Sequence, residues 1–212
     1  MDLSNYLDIK NKIPSNVNLL AVSKGFKSQE IKILNNLGQN HFGESKFQEA
    51  FEKKLSLKEF KEIKWHFIGR IQSNKIRKIV QNFQFIHSVD SYEKLEKISI
   101  AASQEMKSPT IMLQVKFSDD PNKGGFNPDL LRNKWIQMQR IKNVNITGLM
   151  TINPKGLSSQ ENEELFKKCR ALADSLNLVH CSMGMSGDWR EAINAGSTWL
   201  RLGSIIFGDR FN

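Results

Sequence analysis

Residues 17–24 read VNLLAVSK and decide how the rest of the sequence is interpreted. The stretch predicts a strand, and Leu20, Val22 and Lys24 share one of its faces because side chains alternate along a strand. Both faces are mostly apolar, which indicates a strand covered on both sides. Lys24 ends this predicted strand, where open sheets and barrels place their sites. The alternative is a lysine that only reaches water at the strand end.

Seven further segments predict strands, each followed or preceded by turn residues. They are residues 40–44, 65–69, 85–90, 110–115, 145–152, 178–183 and 199–203. A helical segment follows each of the first seven strands, and such alternation predicts a parallel sheet. Eight units fit an α/β fold with a single (β/α)₈ TIM barrel, and a doubly wound sheet is the alternative. Because no linker, repeat or composition shift divides the chain, we expect residues 1–212 to form one domain.

Capping residues mark where several of the helices begin. Ser45 followed by Gln48 has the form of a capping box, as does Ser158 followed by Glu161. Ser91 is a further predicted cap. A polar loop over residues 118–125 follows the fifth strand.

Composition excludes several classes of protein. The 212 residues carry a net charge of +9, but the basic residues are scattered, and residues 70–78 read as a solvated helix face rather than a nucleic-acid site. No apolar run approaches a membrane span, and the N-terminus lacks the pattern of a signal peptide. Cys169 and Cys181 form no metal or redox spacing. The four histidines have no ligand spacing, so we expect no metal, and we expect a cytoplasmic protein.

Barrel closure predicts a location for Arg201 that its position in the sequence alone does not. Closure places the eighth strand beside the first, and Trp199, Arg201 and Gly203 share one face of the eighth strand. If this face points inward, Arg201 enters the interior near Lys24. Two neighbouring buried cations are costly, so we expect an anion or a polar ligand between them.

The loops after the seventh and eighth strands complete the predicted site. Residues 182–188 read SMGMSGD, and Gly203 is followed by Ser204. Small residues, hydroxyls and backbone N–H groups suit a phosphate, and barrels bind phosphate at these two loops. The residues therefore predict a phosphate-bearing ligand and a lysine placed to form a Schiff base with the ligand's carbonyl group.

With these residues in view, the sequence resembles the pyridoxal phosphate homeostasis protein family, whose members have the barrel of the alanine racemase N-terminal domain. The resemblance runs in order from about residue 19 to 210. Its stretches are residues 20–24 (LAVSK), 42–44 (FGE), 65–69 (WHFIG), 72–75 (QSNK), 148–151 (GLMT), 182–186 (SMGMS), 195–198 (AGST) and 201–208 (RLGSIIFG).

The resemblance implies a role for each residue of the predicted site. Lys24 would carry pyridoxal 5'-phosphate (PLP) as an internal aldimine, and Arg201 would face the pyridine nitrogen. Ser186, Gly203 and Ser204 would hold the phosphate. The family continues Gly-Glu-Asn where this chain has Ser45 as the third residue, which removes any cofactor contact made by that asparagine.

The resemblance also implies a carrier rather than an enzyme. An arginine, with a pKa above ~12, cannot pass a proton to the pyridine nitrogen, so the ring would be a weak electron sink. The alanine racemase relatives add a second base from a C-terminal domain of a partner subunit, and this sequence ends at Asn212, after the eighth strand. We therefore expect a monomer without catalytic residues that buffers PLP and passes it transiently to apo-enzymes.

Three alternatives remain open from the sequence. A low-activity amino-acid racemase needs a second acid–base group, for which His66, His87 and Tyr92 are candidates that we interpret as structural. A Schiff-base aldolase would use Lys24 without a cofactor. A nucleic-acid binder would use the basic surface and show steep salt dependence.

Overall fold

The computed structural model describes residues 3–118 and 124–208, and it contains eight parallel strands in a closed barrel. The strands follow one another around the barrel in sequence order. They are β1 (Asn18–Val22), β2 (His41–Glu44), β3 (Lys64–Phe67), β4 (Phe85–Val89), β5 (Thr110–Gln114), β6 (Asn145–Met150), β7 (His180–Ser182) and β8 (Trp199–Leu202).

Helices alternate with the strands and cover the barrel. They are α1 (Leu3–Lys12), α2 (Ser28–Asn36), α3 (Phe47–Ser56), α4 (Ile76–Asn82), α5 (Tyr92–Gln104), α6 (Pro128–Gln139), α7 (Ser159–Ser175), α8 (Trp189–Asn194) and α9 (Ser204–Phe207). None of the helices in the described residues is long and apolar enough to cross a membrane.

Pairing between β1 and β8 closes the barrel. Leu20 lies opposite Arg201 in this parallel pair, and Ala21 lies opposite Phe42 of β2 on the other side. The predicted (β/α)₈ barrel is therefore confirmed, and closure excludes the doubly wound sheet. Because all strands are parallel, their carboxyl ends meet at one opening, which we call the mouth.

Two apolar clusters form the core. The larger one lies between the strands and the surrounding helices. The smaller one fills the barrel interior and consists of Leu20, Met112, Met150 and Trp199. Trp199 belongs to this inner cluster, whereas Leu200 on the other face of β8 belongs to the larger one, which confirms that the face shared by Trp199 and Arg201 points inward.

Three helix starts follow the capping chemistry of the sequence. Ser91 accepts a hydrogen bond from the Lys94 N–H, and Asn127 caps α6 just before Pro128. Ser158 and Glu161 form the complete predicted capping box of α7. Most of the predicted polar loop over residues 118–125 lies outside the described residues.

Two local predictions are wrong, and one short helix was missed. The first strand ends at Val22, two residues before Lys24. The predicted Ser45 capping box is absent from the described start of α3, where Lys46 is the N-cap residue and makes no side-chain cap bond. A Cβ on Gly69 would lie 1.9 Å from the Ser45 carbonyl oxygen, so close backbone packing rather than capping places Ser45. The short helix α9 was not predicted.

Candidate cofactor site at the barrel mouth

Lys24 lies in the turn that follows β1, at the mouth of the barrel, and is half-buried. The Phe26 N–H donates to the Ser23 carbonyl at 3.0 Å and closes this turn. Gly25 has a φ of 80°, a left-handed conformation that strains a residue with a Cβ. The lysine is therefore at the predicted end of β1, but a turn carries it instead of the strand.

A buried ionic cluster holds this turn on both sides of Lys24. The Ser23 hydroxyl donates to Glu44 Oε1 at 2.7 Å, and Lys53 Nζ donates to the Ser23 carbonyl at 2.7 Å. Lys53 also pairs with Glu44 at 2.7 Å and with Glu49 at 2.6 Å. Glu49 in turn accepts a hydrogen bond from the Gly25 N–H. The residues before and after Lys24 are thus tied to one ammonium and two carboxylates.

Burial and hydrogen bonds shift the pKa values of the two carboxyl groups in this cluster. Burial raises the pKa of the Glu44 carboxyl, while the contacts with Lys53 and Ser23 act in the opposite direction. For Glu49, burial also raises the pKa, but the hydrogen bonds from Lys53 and Gly25 outweigh it and hold the pKa below its usual value. In this cluster, burial favours the protonated form of the Glu44 carboxyl, whereas hydrogen bonds favour the ionised form of the Glu49 carboxyl.

Arg201 enters the barrel interior from β8 and is held by neutral groups. Its Nη1 donates to the Ser182 carbonyl at 2.6 Å and to the Ser182 hydroxyl at 2.9 Å, and its Nη2 donates to the Thr151 carbonyl at 2.8 Å. Burial lowers the pKa of Arg201 to about 10, with Asp188 opposing the shift. The guanidinium therefore keeps its charge at neutral pH without a salt bridge to any residue that the structure describes.

The loops after β7 and β8 meet at Ser186. Its hydroxyl oxygen accepts hydrogen bonds from the Gly203 N–H at 3.4 Å and from the Ile205 N–H at 3.3 Å. The hydroxyl hydrogen stays available to donate to an anion. Ser204 is exposed at the first position of α9. The structure thus brings together the three residues predicted to hold a phosphate.

Gly184 fixes the loop that carries Ser186. It has a φ of 90°, and a Cβ there would lie 2.6 Å from the Ala192 Cβ and 2.8 Å from the Leu200 Cδ2. Asp188 closes the same loop by accepting a hydrogen bond from the Met185 N–H at 2.6 Å. Only glycine fits this close approach between the loop, α8 and β8.

The predicted site residues fit a phosphate-bearing aldehyde. A Cβ on Gly203 would lie 3.4 Å from the Val22 carbonyl oxygen, so the loop after β8 adjoins the strand end that leads to Lys24. The donor set combines an amine, a hydroxyl, loop N–H groups and a guanidinium. The amine suits a carbonyl, the hydroxyl and the loop N–H groups suit a phosphate, and the guanidinium suits a ring nitrogen.

Three histidines in the barrel interior form a hydrogen-bonded row that ends at Ser182. His41 Nδ1 lies 2.9 Å from His66 Nε2, and His66 Nδ1 lies 2.8 Å from His87 Nε2. His87 Nδ1 lies 2.9 Å from the Ser182 hydroxyl oxygen, which also contacts Arg201. His66 and His87 are both 0% exposed. Hereafter this set is the histidine row.

Sequence reasoning missed the ionic cluster and the histidine row. A signal for the row existed, because all four histidines fall in predicted strands. Lys53 gave no signal, since a lysine on an amphipathic helix ordinarily reaches water.

Comparison with known proteins places this geometry in a family. The family model for the alanine racemase N-terminal domain matches residues 3–211, so the chain has the barrel of that class. A pyridoxal phosphate homeostasis protein from Synechocystis sp. PCC 6803 is 43% identical over 211 residues, which cover 97% of each chain. This chain belongs to the pyridoxal phosphate homeostasis protein family.

Two solved structures of one protein, PipY of Synechococcus elongatus PCC7942, are similar over nearly the whole chain. The structure without PLP has a TM-score of 0.96 and 39% identity, and the match covers 98% of this chain and 100% of PipY. The structure with PLP bound has a TM-score of 0.93 and 38% identity, with coverage of 97% and 99%.

Proposed function

We propose that this protein binds PLP at the barrel mouth and serves in PLP homeostasis as a non-catalytic carrier. The observation that supports this most strongly is the PipY structure with PLP bound, which is similar to 97% of this chain. The donor set around Lys24, Ser186 and Arg201 supports the same conclusion independently, because it matches the chemical groups of PLP.

Each residue of the site has a distinct task in this proposal. Lys24 would hold PLP through a C=N bond between its Nζ and the aldehyde carbon, formed with the loss of one water. Ser186, Gly203 and Ser204 bind the phosphate, and Arg201 donates to the pyridine nitrogen. When bound, PLP supplies the aldehyde and an electron-withdrawing ring.

The proposed lack of catalysis rests on two features of the interior. Arg201 keeps its proton at neutral pH, so it cannot protonate the pyridine nitrogen and strengthen the electron sink. His66 and His87 are fully buried and already hydrogen-bonded to the row, so neither can reach a substrate at the mouth. Tyr92 starts α5 on the mouth side and is the acid–base candidate that an activity test must include.

Borohydride reduction tests the covalent attachment. The purified protein is incubated with PLP, reduced, digested and mapped by mass spectrometry. We expect a phosphopyridoxyl group on Lys24, its loss in Lys24→Ala, and its retention in the matched control Lys27→Ala, which removes an exposed lysine three residues away. A reduced protein without any adduct would overturn the cofactor proposal and favour the Schiff-base aldolase.

Proton exchange separates the carrier from the racemase. The loaded protein is incubated with amino acids in D₂O, and exchange of the α-proton is followed by NMR. We expect exchange no faster than with free PLP. Stereoselective exchange that is lost in Tyr92→Phe would contradict the carrier proposal. A transfer assay then measures whether the loaded protein reactivates an apo-enzyme, which a carrier must do.

A further inference from the structure

The histidine row has a direction that can be derived from its hydrogen-bond donors. Arg201 has only donors, so the Ser182 hydroxyl oxygen accepts from its Nη1. The hydroxyl owns one hydrogen, and within the described part of the chain the acceptor in reach of it is His87 Nδ1. His87 therefore carries its hydrogen on Nε2 and donates to His66 Nδ1.

The same rule fixes the other two rings. His66 accepts at Nδ1, so its hydrogen is on Nε2 and is donated to His41 Nδ1. His41 then carries its hydrogen on Nε2 as well. All three rings are thus neutral Nε2–H tautomers, and every N–H points away from Arg201. Each ring presents an unprotonated nitrogen toward the guanidinium, an orientation that the positive charge favours.

The surroundings hold the rings in this arrangement. His66 stacks on Phe85 with ring centroids 4.1 Å apart and an interplanar angle of 3°. Trp199 packs against His41 and His66, each at 5.0 Å between centroids. The nitrogens face one another in sequence and do not converge on a common point, so the row is not a metal site.

We infer that His87, His66 and His41 are positioning residues of the cofactor site, which orient Ser182 and thereby hold the Arg201 guanidinium in place at the mouth. The inference rests on the proposed function for what Arg201 contacts, but the positioning of Arg201 is a property of the protein alone. The alternative is that the three rings only fill the barrel interior.

Protonation of a ring interrupts the row. A second proton on His66 would place an N–H opposite the Nε2–H of His87, where the row needs an acceptor. The charged and titratable groups that act on the row are Arg201 from β8, His180 from β7 and Lys64 beside His41. Burial and these neighbours lower the pKa of His41, His66 and His87, so the row stays neutral near neutral pH.

NMR of the cofactor-free protein tests the row without any assumption about PLP. We expect ¹⁵N chemical shifts of neutral Nε2–H rings for all three histidines, with no titration of His66 or His87 between about pH 8 and 5. A hydrogen on Nδ1 of His87, or a protonated His66 near neutral pH, would overturn the assigned direction.

Substitution of His87 tests positioning. His87→Leu removes the acceptor of Ser182, whereas His87→Asn keeps an oxygen near the position of Nδ1. In the cofactor-free protein we expect slow rotation of the Arg201 guanidinium, fast rotation in His87→Leu, and partial recovery in His87→Asn. His180→Asn is the matched control, because it removes a histidine that acts on His87 through its charge alone and makes its hydrogen bond to Thr198. Unchanged rotation in a folded His87→Leu would overturn the inference.

The loaded protein gives the second readout. We expect His87→Leu to weaken PLP binding about tenfold, a change of about 1.4 kcal/mol. We also expect it to shift the pH at which the absorption of the bound cofactor changes. His87→Asn should fall between it and the wild type, and His41→Asn covers the case in which His87→Leu does not fold. If the wild type itself binds no PLP, the proposed function fails while the NMR result still decides the row.

Discussion

The two sides of the barrel mouth treat a buried cation in opposite ways. Beside the turn after β1, Lys53 pairs with two carboxylates, Glu44 and Glu49, at 2.7 and 2.6 Å. On β8, Arg201 donates to two carbonyls and to the Ser182 hydroxyl, which also contacts His87 of the neutral histidine row. The first cation is neutralised and fixes backbone around Lys24. The second keeps its charge, which leaves it able to act on a ligand at the mouth.

The largest expected effect comes from breaking the neutralised side. Lys53→Met leaves Glu44 buried without its partner, and removing one member of a buried ion pair costs about 3 to 5 kcal/mol of unfolding free energy. Urea denaturation measures this loss.

Two further variants sharpen the Lys53 result. Lys168→Met, an exposed control on α7, should change the unfolding free energy by less than about 0.5 kcal/mol. The double variant Lys53→Met with Glu44→Gln should recover at least about 1 kcal/mol, because the two residues are in direct contact. A loss that is simply additive would contradict the pairing.

A backbone change tests the other side of the mouth. Gly184→Ala introduces a Cβ 2.6 Å from Ala192 and requires a left-handed φ, so we expect a loss of about 2 to 3 kcal/mol and weaker PLP binding through the displaced Ser186. Gly187→Ala is the matched control, since its Cβ meets nothing within 4 Å. Equal melting temperatures for the two variants would show that the close approach at Gly184 is not rigid.

We expect acid to destabilise the protein through the neutral histidine row. Burial lowers the pKa of His87 to about 3 and that of His66 well below its usual value, while both titrate near pH 6.5 when unfolded. The contribution of these two histidines to the unfolding free energy is therefore fully present above about pH 6.5. It falls as the pH drops toward the folded pKa values, by up to about 1.4 kcal/mol per pH unit for each histidine.

The comparison of wild type with His87→Asn isolates this effect. The raised pKa values of Glu44 and Asp188 give the opposite slope, but these residues are present in both proteins. We expect the wild type to lose more unfolding free energy between pH 7 and pH 5 than the variant does. Parallel stability curves in urea would mean that folding does not lower the pKa of His87.

The smallest effect is expected where the two loops meet. Ser186→Ala removes an acceptor shared by the N–H groups of Gly203 and Ile205, which costs about 1 kcal/mol of stability. Its effect on PLP affinity should exceed its effect on unfolding, because a phosphate contact is lost as well. Calorimetry measures both, with Ser204→Ala as the comparison. An unchanged affinity would remove Ser186 from the proposed phosphate site.

The sequence predicts the barrel well because each unit carries its own periodicity and caps. Ser91 and Ser158 begin their helices as predicted, since side-chain capping is a local interaction. Ser45 fails because a long-range contact, the packing of its carbonyl against Gly69, decides its position. Local chemistry is readable in the sequence, and contacts between distant segments are not.

The site shows the same difference between local patterns, which the sequence reveals, and contacts between distant segments, which it does not. Strand alternation and barrel closure place Arg201 on the same face of β8 as Trp199 and beside β1, whereas the structure was needed to show that this face points inward. The sequence placed the histidines in strands, but it could not predict the hydrogen bonds of the row, because these depend on the register between β2, β3 and β4, which the strand pattern leaves undetermined. Lys53 required knowledge of how α3 packs against the turn after β1.

The apolar cluster inside the barrel limits the routes by which a ligand can reach the mouth. Leu20, Met112, Met150 and Trp199 fill the interior, so PLP bound at the mouth, as we propose, would enter and leave through the mouth. A protein that supplies PLP and a protein that receives it would then compete for the same opening. In the proposed carrier role, the protein would therefore meet donor and recipient in turn, loaded on the way to the recipient and unloaded after delivery.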